Sequence, residues 1–501
     1  MTPETAPLLM RAIGDELAQR LLPELQSADA IERATFARLV LQQLAADLDV
    51  LPEVAARLVP VFRQTLAEVL GGLASTPFAA SVDDWRAQLG RIAADTGVAR
   101  QREVADLRNL AAAIIRKLAD GTPGKITNEQ QAQLAAALTR LGRIDCGWLT
   151  EYDAARNARS NEAATASTSD PVSTSSGAKV TTENVSNYLR KRFPEEPELE
   201  AIRVVPIPGG RSKKTFFISL RGTEVLPAEL VMRQDYALRY EGTKVRDEYR
   251  PLLRLAEAGL PVPRPLLLEA DESALGPPFL FVDRLAGSAP GSYFRLQAQC
   301  PGAFRDLART LAGLHRLPPA ELGFTVGETP ERNLERIIDQ YEKKWRDNAV
   351  TSSPLIDYAY SWARRECALD TGTFAVVHGD AGPYNVLVDG DRLTAVLDWE
   401  FAHVGDPAED LGIVRVYAED VMDWNEFLQI YLEAGGRPVP ERRVRLAMLL
   451  QFLKGTTLVA ASGRNFVEGW TKEFIKGANA FTGLRLIELR IAALLERFAA
   501  V

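Results

Sequence analysis

His378-Gly379-Asp380-Ala381-Gly382-Pro383-Tyr384-Asn385, followed after a short hairpin by Asp398-Trp399-Glu400, is the stretch that decides the fold. Val386-Leu387-Val388 and Leu393-Thr394-Ala395-Val396-Leu397 have the β-branched and apolar content of strands, and Asp389-Gly390-Asp391-Arg392 is the turn between them. Closing that hairpin returns Asn385 to the side of Asp398, where one small cation reaches both. Mg²⁺ takes hard oxygen ligands and borrows the rest of its shell from phosphate and water. An Asp five residues before an Asn, with a second Asp across a strand pair, is what phosphoryl transfer to a hydroxyl requires. Asp380 would orient and deprotonate the hydroxyl, while Asn385 and Asp398 would hold Mg²⁺ over nucleotide phosphates. Either triplet alone is compatible with an acidic surface turn. Their joint order, continued by Gly405-Asp406-Pro407-Ala408-Glu409-Asp410-Leu411, is much harder to reach by accident.

With these motifs in this order, the chain from about Val180 to its C-terminus resembles the aminoglycoside phosphotransferase and choline kinase-like family, small-molecule relatives of protein kinases. The resemblance implies an α+β bilobal protein-kinase-like fold, ATP as donor and Mg²⁺ as its companion. It implies Asp380 as catalytic base and Asn385 and Asp398 as metal ligands, with His378 in a structural hydrogen-bonding role. Strands are expected at Ile202–Ile207, Thr215–Leu220, Glu229–Arg233 and Phe279–Val282. The turn Pro208-Gly209-Gly210-Arg211-Ser212-Lys213-Lys214 is not a P-loop, since no GxxxxGK[ST] is present. Ahead of a kinase catalytic loop it fits a lid, in which Gly209, Gly210 and Ser212 let backbone amides approach phosphate. Arg233 closes the third strand where such kinases usually place Lys, and Glu248 on the following helix is its expected partner. Arg retains charge and a two-pronged donor set there. His315, His403, Asp406 and Asp410 are read as packing, capping or anchoring residues.

The whole chain bounds the rest. With 501 residues, 46% of them apolar and 25% charged, composition is that of a globular protein of about three domains. A net charge of −8 argues against a dedicated nucleic-acid binder. No apolar run approaches the roughly 20 residues of a membrane helix, and Met1–Thr5 lacks the start of a secretory signal. Cys146, Cys300 and Cys367 have no metal or paired spacing, so inert thiols and a cytoplasmic address are expected.

Residues 1–157 read as a helical domain with apolar stripes at Ile13–Leu21, Phe36–Leu48, Phe62–Leu73 and Leu107–Leu118, and a last helix opening at Thr127 and running through Leu141. No residue pattern for chemistry stands out in it, and it is either a plain bundle or an accessory module docked on the kinase. Residues 158–179, including NEAATASTSDPVSTSSG, read as a flexible linker. The small lobe is expected over 180–285 and the large lobe over 286–501.

The acceptor is a small-molecule hydroxyl, which the motifs do not name. Val231-Met232-Arg233, Leu260-Pro261-Val262-Pro263-Arg264-Pro265 and Gly276-Pro277-Pro278-Phe279 are similar to the kinase modules associated with acyl-CoA dehydrogenases. That resemblance implies the hydroxyl of a 4-hydroxyacyl-CoA. An aminoglycoside, choline or sugar acceptor and a pseudokinase scaffold stay open, with Glu433, Glu468 and Glu473 or Trp424 and Trp470 as candidate contacts for the first two.

Overall fold

The computed structural model describes residues 6–25, 28–92, 100–121, 126–161, 180–207, 213–235, 244–293, 296–324, 330–367, 374–470 and 474–499. The N-terminal region forms α1 (Ala6–Glu16), α2 (Ala28–Leu73), α3 (Ala79–Arg91), α4 (Arg100–Ala119) and α5 (Asn128–Asn161). The two apolar stripes at Phe36–Leu48 and Phe62–Leu73 lie on the single helix α2, which continues through Pro52 and Pro60. Proline removes a helix N–H and bends the axis, but buried Val50, Val54, Val59 and Phe62 keep the turns packed. At the start of α5 the Thr127 hydroxyl accepts from Gln130 N–H, and the Gln130 side chain accepts from Thr127 N–H. The expected stop at Leu141 is overturned. Cys146, Trp148 and Leu149 continue the buried face, and α5 runs to Asn161, into the first residues of the expected linker. Residues 162–179 of that linker lie outside the described residues.

The small lobe contains α6 (Thr182–Arg192), β1 (Glu200–Ile207), β2 (Lys213–Arg221), β3 (Glu229–Asp235), α7 (Val245–Glu257), β4 (Pro265–Glu269), α8 (Glu272–Leu275) and β5 (Phe279–Asp283). The strands form one antiparallel sheet in the order β1-β2-β3-β5-β4, in which β4 is a strand the sequence reading did not include. Phe216, Ile218, Leu220, Leu230, Met232, Phe279 and Phe281 point to one face and pack with Val185 and Leu189 of α6. Strand alternation sends Arg233 to the opposite face, towards α7.

The large lobe follows with α9 (Pro301–Arg316), α10 (Pro330–Asn348), α11 (Pro354–Cys367), β6 (Ala375–Val377), β7 (Val386–Asp389), β8 (Arg392–Val396), β9 (His403–Gly405), α12 (Pro407–Ala418), α13 (Trp424–Glu433), α14 (Glu441–Val467) and α15 (Phe474–Ala499). The β7–β8 hairpin closes with Asp389 opposite Arg392, and Gly390 takes the positive φ of 59° that so tight a loop needs. Its tip is fastened to α9: Gly302 N–H donates to Asp391 at 2.7 Å and Arg392 pairs with Asp306 at 2.8 Å.

The N-terminal helices share their core with the large lobe. Leu66, Leu70, Leu107, Ile114, Leu138 and Leu149 belong to one buried cluster with Trp345, Ile356, Tyr360, Leu449, Phe452 and Ile491. Polar ties cross the same boundary. Arg108 on α4 bonds both oxygens of Asp145 on α5 at 2.6 and 3.0 Å, and reaches Glu488 on α15 at 3.1 Å. Arg116 pairs with Asp357 on α11 at 2.8 Å. The N-terminal helices thus share one buried cluster with α10, α11, α14 and α15, while a second cluster joins α7 and β5 of the small lobe to α9, α12 and α13.

All three cysteines are buried and free. α14 passes the length and hydropathy of a membrane span, contrary to the sequence expectation, but 67% of its apolar window is buried inside the fold as in a core helix.

Candidate active site

The segment after β6 is pinned before it reaches Asp380. Backbone N–H groups of His378 and Gly379 each donate to the Asp410 carboxylate at 2.8 Å, and His315 Nε2 lies 3.0 Å from it. Burial pushes the Asp410 carboxyl up, but His315 and these N–H groups outweigh it and hold it below the ordinary value. The His378 ring donates from Nε2 to Leu397 O at 2.8 Å and accepts the Asp380 N–H on Nδ1 at 3.1 Å. That fixes its tautomer and joins the two ends of the motif, the structural role expected of it. Gly379 has φ +74°, and a Cβ there would stand 2.7 Å from Phe401 O.

Asp380 is held on both oxygens. Oδ1 accepts from Tyr384 OH at 2.9 Å and from Gln451 Nε2 at 2.8 Å, and Oδ2 accepts from Asn385 Nδ2 at 2.9 Å. A carboxylate offers about four acceptor positions, so one remains on Oδ2 for an incoming hydroxyl. Burial and the Asp380 charge push the Tyr384 hydroxyl well above its ordinary pKa, so it stays a donor. Lys454 approaches from the same helix as Gln451: Nζ donates to Gly379 O at 3.0 Å, lies 3.7 Å from Asp380 Oδ1 and sits 3.4 Å from the Phe401 ring centre.

The hairpin returns the chain from Asn385 to Leu397, the residue before Asp398. Leu397 N–H donates to Asn385 O at 2.7 Å across its open end. Asp398 has φ 62° and ψ 62°, and among the described residues no other non-glycine has a positive φ. A left-handed aspartate costs on the order of 1 kcal/mol. Here it makes the abrupt turn from β8 that carries the carboxylate to within 2.6 Å of Arg233. Asn385 Nδ2 also donates to Asp380 O at 2.9 Å, so both amide hydrogens are used and Oδ1 is left as its ligand atom. A hard-oxygen pair of one amide and one carboxylate fits Mg²⁺ completed by phosphate and water. Among the described residues no group of three or more His, Cys, Asp or Glu is placed to hold a metal ion.

Arg233 and Glu248 are brought together at 3.2 Å, and the pair is more populated than the sequence suggested. Lys213, the first residue of β2, is buried and lies 3.3 Å from both Glu248 and Glu400. Burial pushes the Glu248 carboxyl up, and Arg233 and Lys213 bring it only part of the way back. Burial disfavours charge on Arg233, but Glu248 and Asp398 reverse that and raise its pKa. Gly209, Gly210 and Ser212 lie outside the described residues.

Glu473 lies outside the described residues, and the other remaining candidates are structural or peripheral. Asp406 caps α12 by accepting from Ala408 N–H at 3.0 Å and pairs with Arg443. Trp424 is a core residue stacked on Phe427, while Trp470 is exposed and donates to Glu468. Glu400, Tyr384, Gln451 and Lys454 were given no role by the sequence reading, and Lys213 was read only as part of the glycine turn. Tyr384 and Glu400 sit inside the motifs and could have been found there; Gln451 and Lys454, two charged or polar positions within an apolar helix, were the visible signal on α14.

Residues 203–447 match the model of the phosphotransferase enzyme family. Acyl-CoA dehydrogenase family member 11 of Rattus norvegicus is 27% identical over 240 residues, which cover 46% of this chain and 30% of the rat protein. The chain thus spans under a third of the length of that relative. Viomycin phosphotransferase of Streptomyces vinaceus is 31% identical over 180 residues, 33% of this chain and 60% of its own. Among solved structures, a macrolide 2'-phosphotransferase type I superposes with a TM-score of 0.44 at 22% identity, covering 61% of this chain and 98% of that one.

Proposed function

We propose that the chain transfers the terminal phosphoryl group of ATP to the hydroxyl of a small molecule, and that this hydroxyl belongs to a 4-hydroxyacyl-CoA thioester. The observation that carries the reaction class is the convergence of Asp380, Asn385 and Asp398 through one hairpin, with Arg233 2.6 Å from Asp398. Asp380 receives the acceptor hydroxyl at its free Oδ2 position. As the hydroxyl oxygen bonds to the terminal phosphorus, the bond to the leaving diphosphate oxygen breaks and the hydroxyl proton passes to Asp380. Tyr384, Gln451 and Asn385 keep that carboxylate from rotating, which matters because positioning supplies most of the catalysis in this chemistry. Arg233, freed from Asp398 and steered by Glu248, binds the non-transferred phosphates. Mg²⁺, held by Asn385 Oδ1 and Asp398, would neutralise phosphate charge.

The acceptor class rests on two supports. A relative named acyl-CoA dehydrogenase family member 11 is similar over 240 residues of the chain. A lysine 3.7 Å from Asp380 also repels a polycationic aminoglycoside and tolerates an anionic thioester. Purified protein should consume ATP with 4-hydroxyacyl-CoAs and not with choline, aminoglycosides or sugars offered in parallel. Asp380→Asn should reduce that turnover by about 10²–10⁴-fold with nucleotide affinity kept. Turnover confined to an aminoglycoside, or an active Asp380→Asn protein, would overturn the respective part.

A further inference from the structure

α14 brings a cation to Asp380 that the motif region does not contain. The Lys454 side chain is 10% exposed, and its ammonium contacts both the Gly379 carbonyl and the Phe401 ring. An ammonium has three donors. One is spent on Gly379 O at 3.0 Å, whereas the 3.7 Å separation from Asp380 Oδ1 is too long for a hydrogen bond. Asp380 needs no help from it for orientation, because Tyr384, Gln451 and Asn385 already fix both oxygens. Burying a lysine is costly, and a packing role alone would be met by an apolar side chain. The remaining feature is position: a full positive charge 3.7 Å from Oδ1 of the carboxylate whose other oxygen receives the proton.

We propose, on the basis of the phosphotransfer reading above, that Lys454 is a catalytic residue whose ammonium contacts the phosphoryl group as it moves onto the acceptor. Before transfer the ammonium is parked on Gly379 O. As negative charge builds between the acceptor oxygen and the terminal phosphorus, its two other N–H groups bond the equatorial oxygens. After transfer it pairs with the new phosphate, next to the now protonated Asp380. Gln451, one turn earlier on the same helix, is a positioning residue for the base.

The test uses the full chain with Lys454→Met, which keeps the stem and removes the charge, and Lys454→Arg, which keeps the charge. Nucleotide dissociation constants are measured for each, and single-turnover rates are expressed per nucleotide-bound molecule, so that any misfolded fraction drops out. Lys454→Met should lose about 10²–10³-fold in the transfer rate with nucleotide affinity within threefold of the parent. Lys454→Arg should stay within about tenfold of the parent. Equal loss in both variants, or a loss that vanishes on normalisation, would make Lys454 a pin for Gly379 and overturn the proposal. If the parent chain transfers phosphate to none of the acceptors and shows no Asp380-dependent ATP hydrolysis, the phosphotransfer reading itself fails, and with it this one. A parent that turns over while Lys454→Met matches it refutes Lys454 alone.

Discussion

Replacing Arg108 by Met should show how tightly the N-terminal helices are built into the kinase. Arg108 makes three short bonds, two to Asp145 and one to Glu488, and these carboxylates come from α5 and α15. Asp145 is wholly buried and Glu488 is 5% exposed. Removing one partner of a buried ion pair costs about 3–5 kcal/mol, because the other charge stays in the interior without compensation. Asp145 keeps one donor, the Leu355 N–H at 3.1 Å, which places the expected loss near the lower end, about 3 kcal/mol. Urea unfolding followed by tryptophan fluorescence would read this as a lower midpoint at unchanged slope. The triple variant Arg108→Met, Asp145→Leu, Glu488→Leu should recover most of the loss, since an apolar replacement of a whole buried network is often neutral. A single-variant loss below 1 kcal/mol, or a triple variant no better than the single, would refute the view that this network is buried and shared.

Asp398→Ala should abolish the Mg²⁺ dependence of nucleotide binding and Asn385→Ala should weaken it less, because a carboxylate offers a full charge and an amide only a dipole; Mg²⁺ titration against bound nucleotide checks the order. Gly412→Ala should cost about 1–3 kcal/mol in stability. Its Cβ would stand 2.7 Å from Ala447 Cβ and Met448 N, so α14 must yield, and the transfer rate should fall by roughly 10-fold or more while nucleotide affinity holds. His403 is raised to about 9, since Glu409 at 3.2 Å and the Phe401 carbonyl outweigh the burial that lowers it. The folded-state value exceeds the unfolded one near 6.5, so the pair's contribution is complete below that pH and is lost as pH rises through 9. A third of the side chain is accessible and solvent screens the pair, so the slope should be shallow and should flatten in His403→Gln.

The centre was legible where chemistry and chain order coincide. Asp380 and Asn385 precede one hairpin and Asp398 follows it, so turn rules alone return the chain to the same end. Arg233 and Glu248 were legible because a strand end and the next helix meet in few ways. Lys213 was legible only as part of the glycine turn, and only the fold reveals Glu248 and Glu400 around it. Gln451 and Lys454 lie about seventy residues beyond Asp380, a separation no local pattern spans. The length of α5 was missed because Ala- and Arg-rich sequence carries helix propensity without a clear stripe, and the packing of Cys146, Trp148 and Leu149 decides it. The same holds for the merged core: apolar helix faces announce that they are buried, never against what.

α14 belongs to two surfaces at once. Leu449, Phe452 and Leu453 face the core that includes α4, α5 and α11, while Gln451 and Lys454 face Asp380. A rigid helix cannot shift on one side alone, so occupancy of the acceptor site and the folding of the N-terminal helices are thermodynamically linked. By reciprocity, whatever free energy an acceptor gains from an ordered α14 is returned to the N-terminal helices as protection against local opening. Slow amide exchange in α4 and α5, which precede both lobes in sequence, thereby becomes a reporter of ligand bound at the far end of the chain.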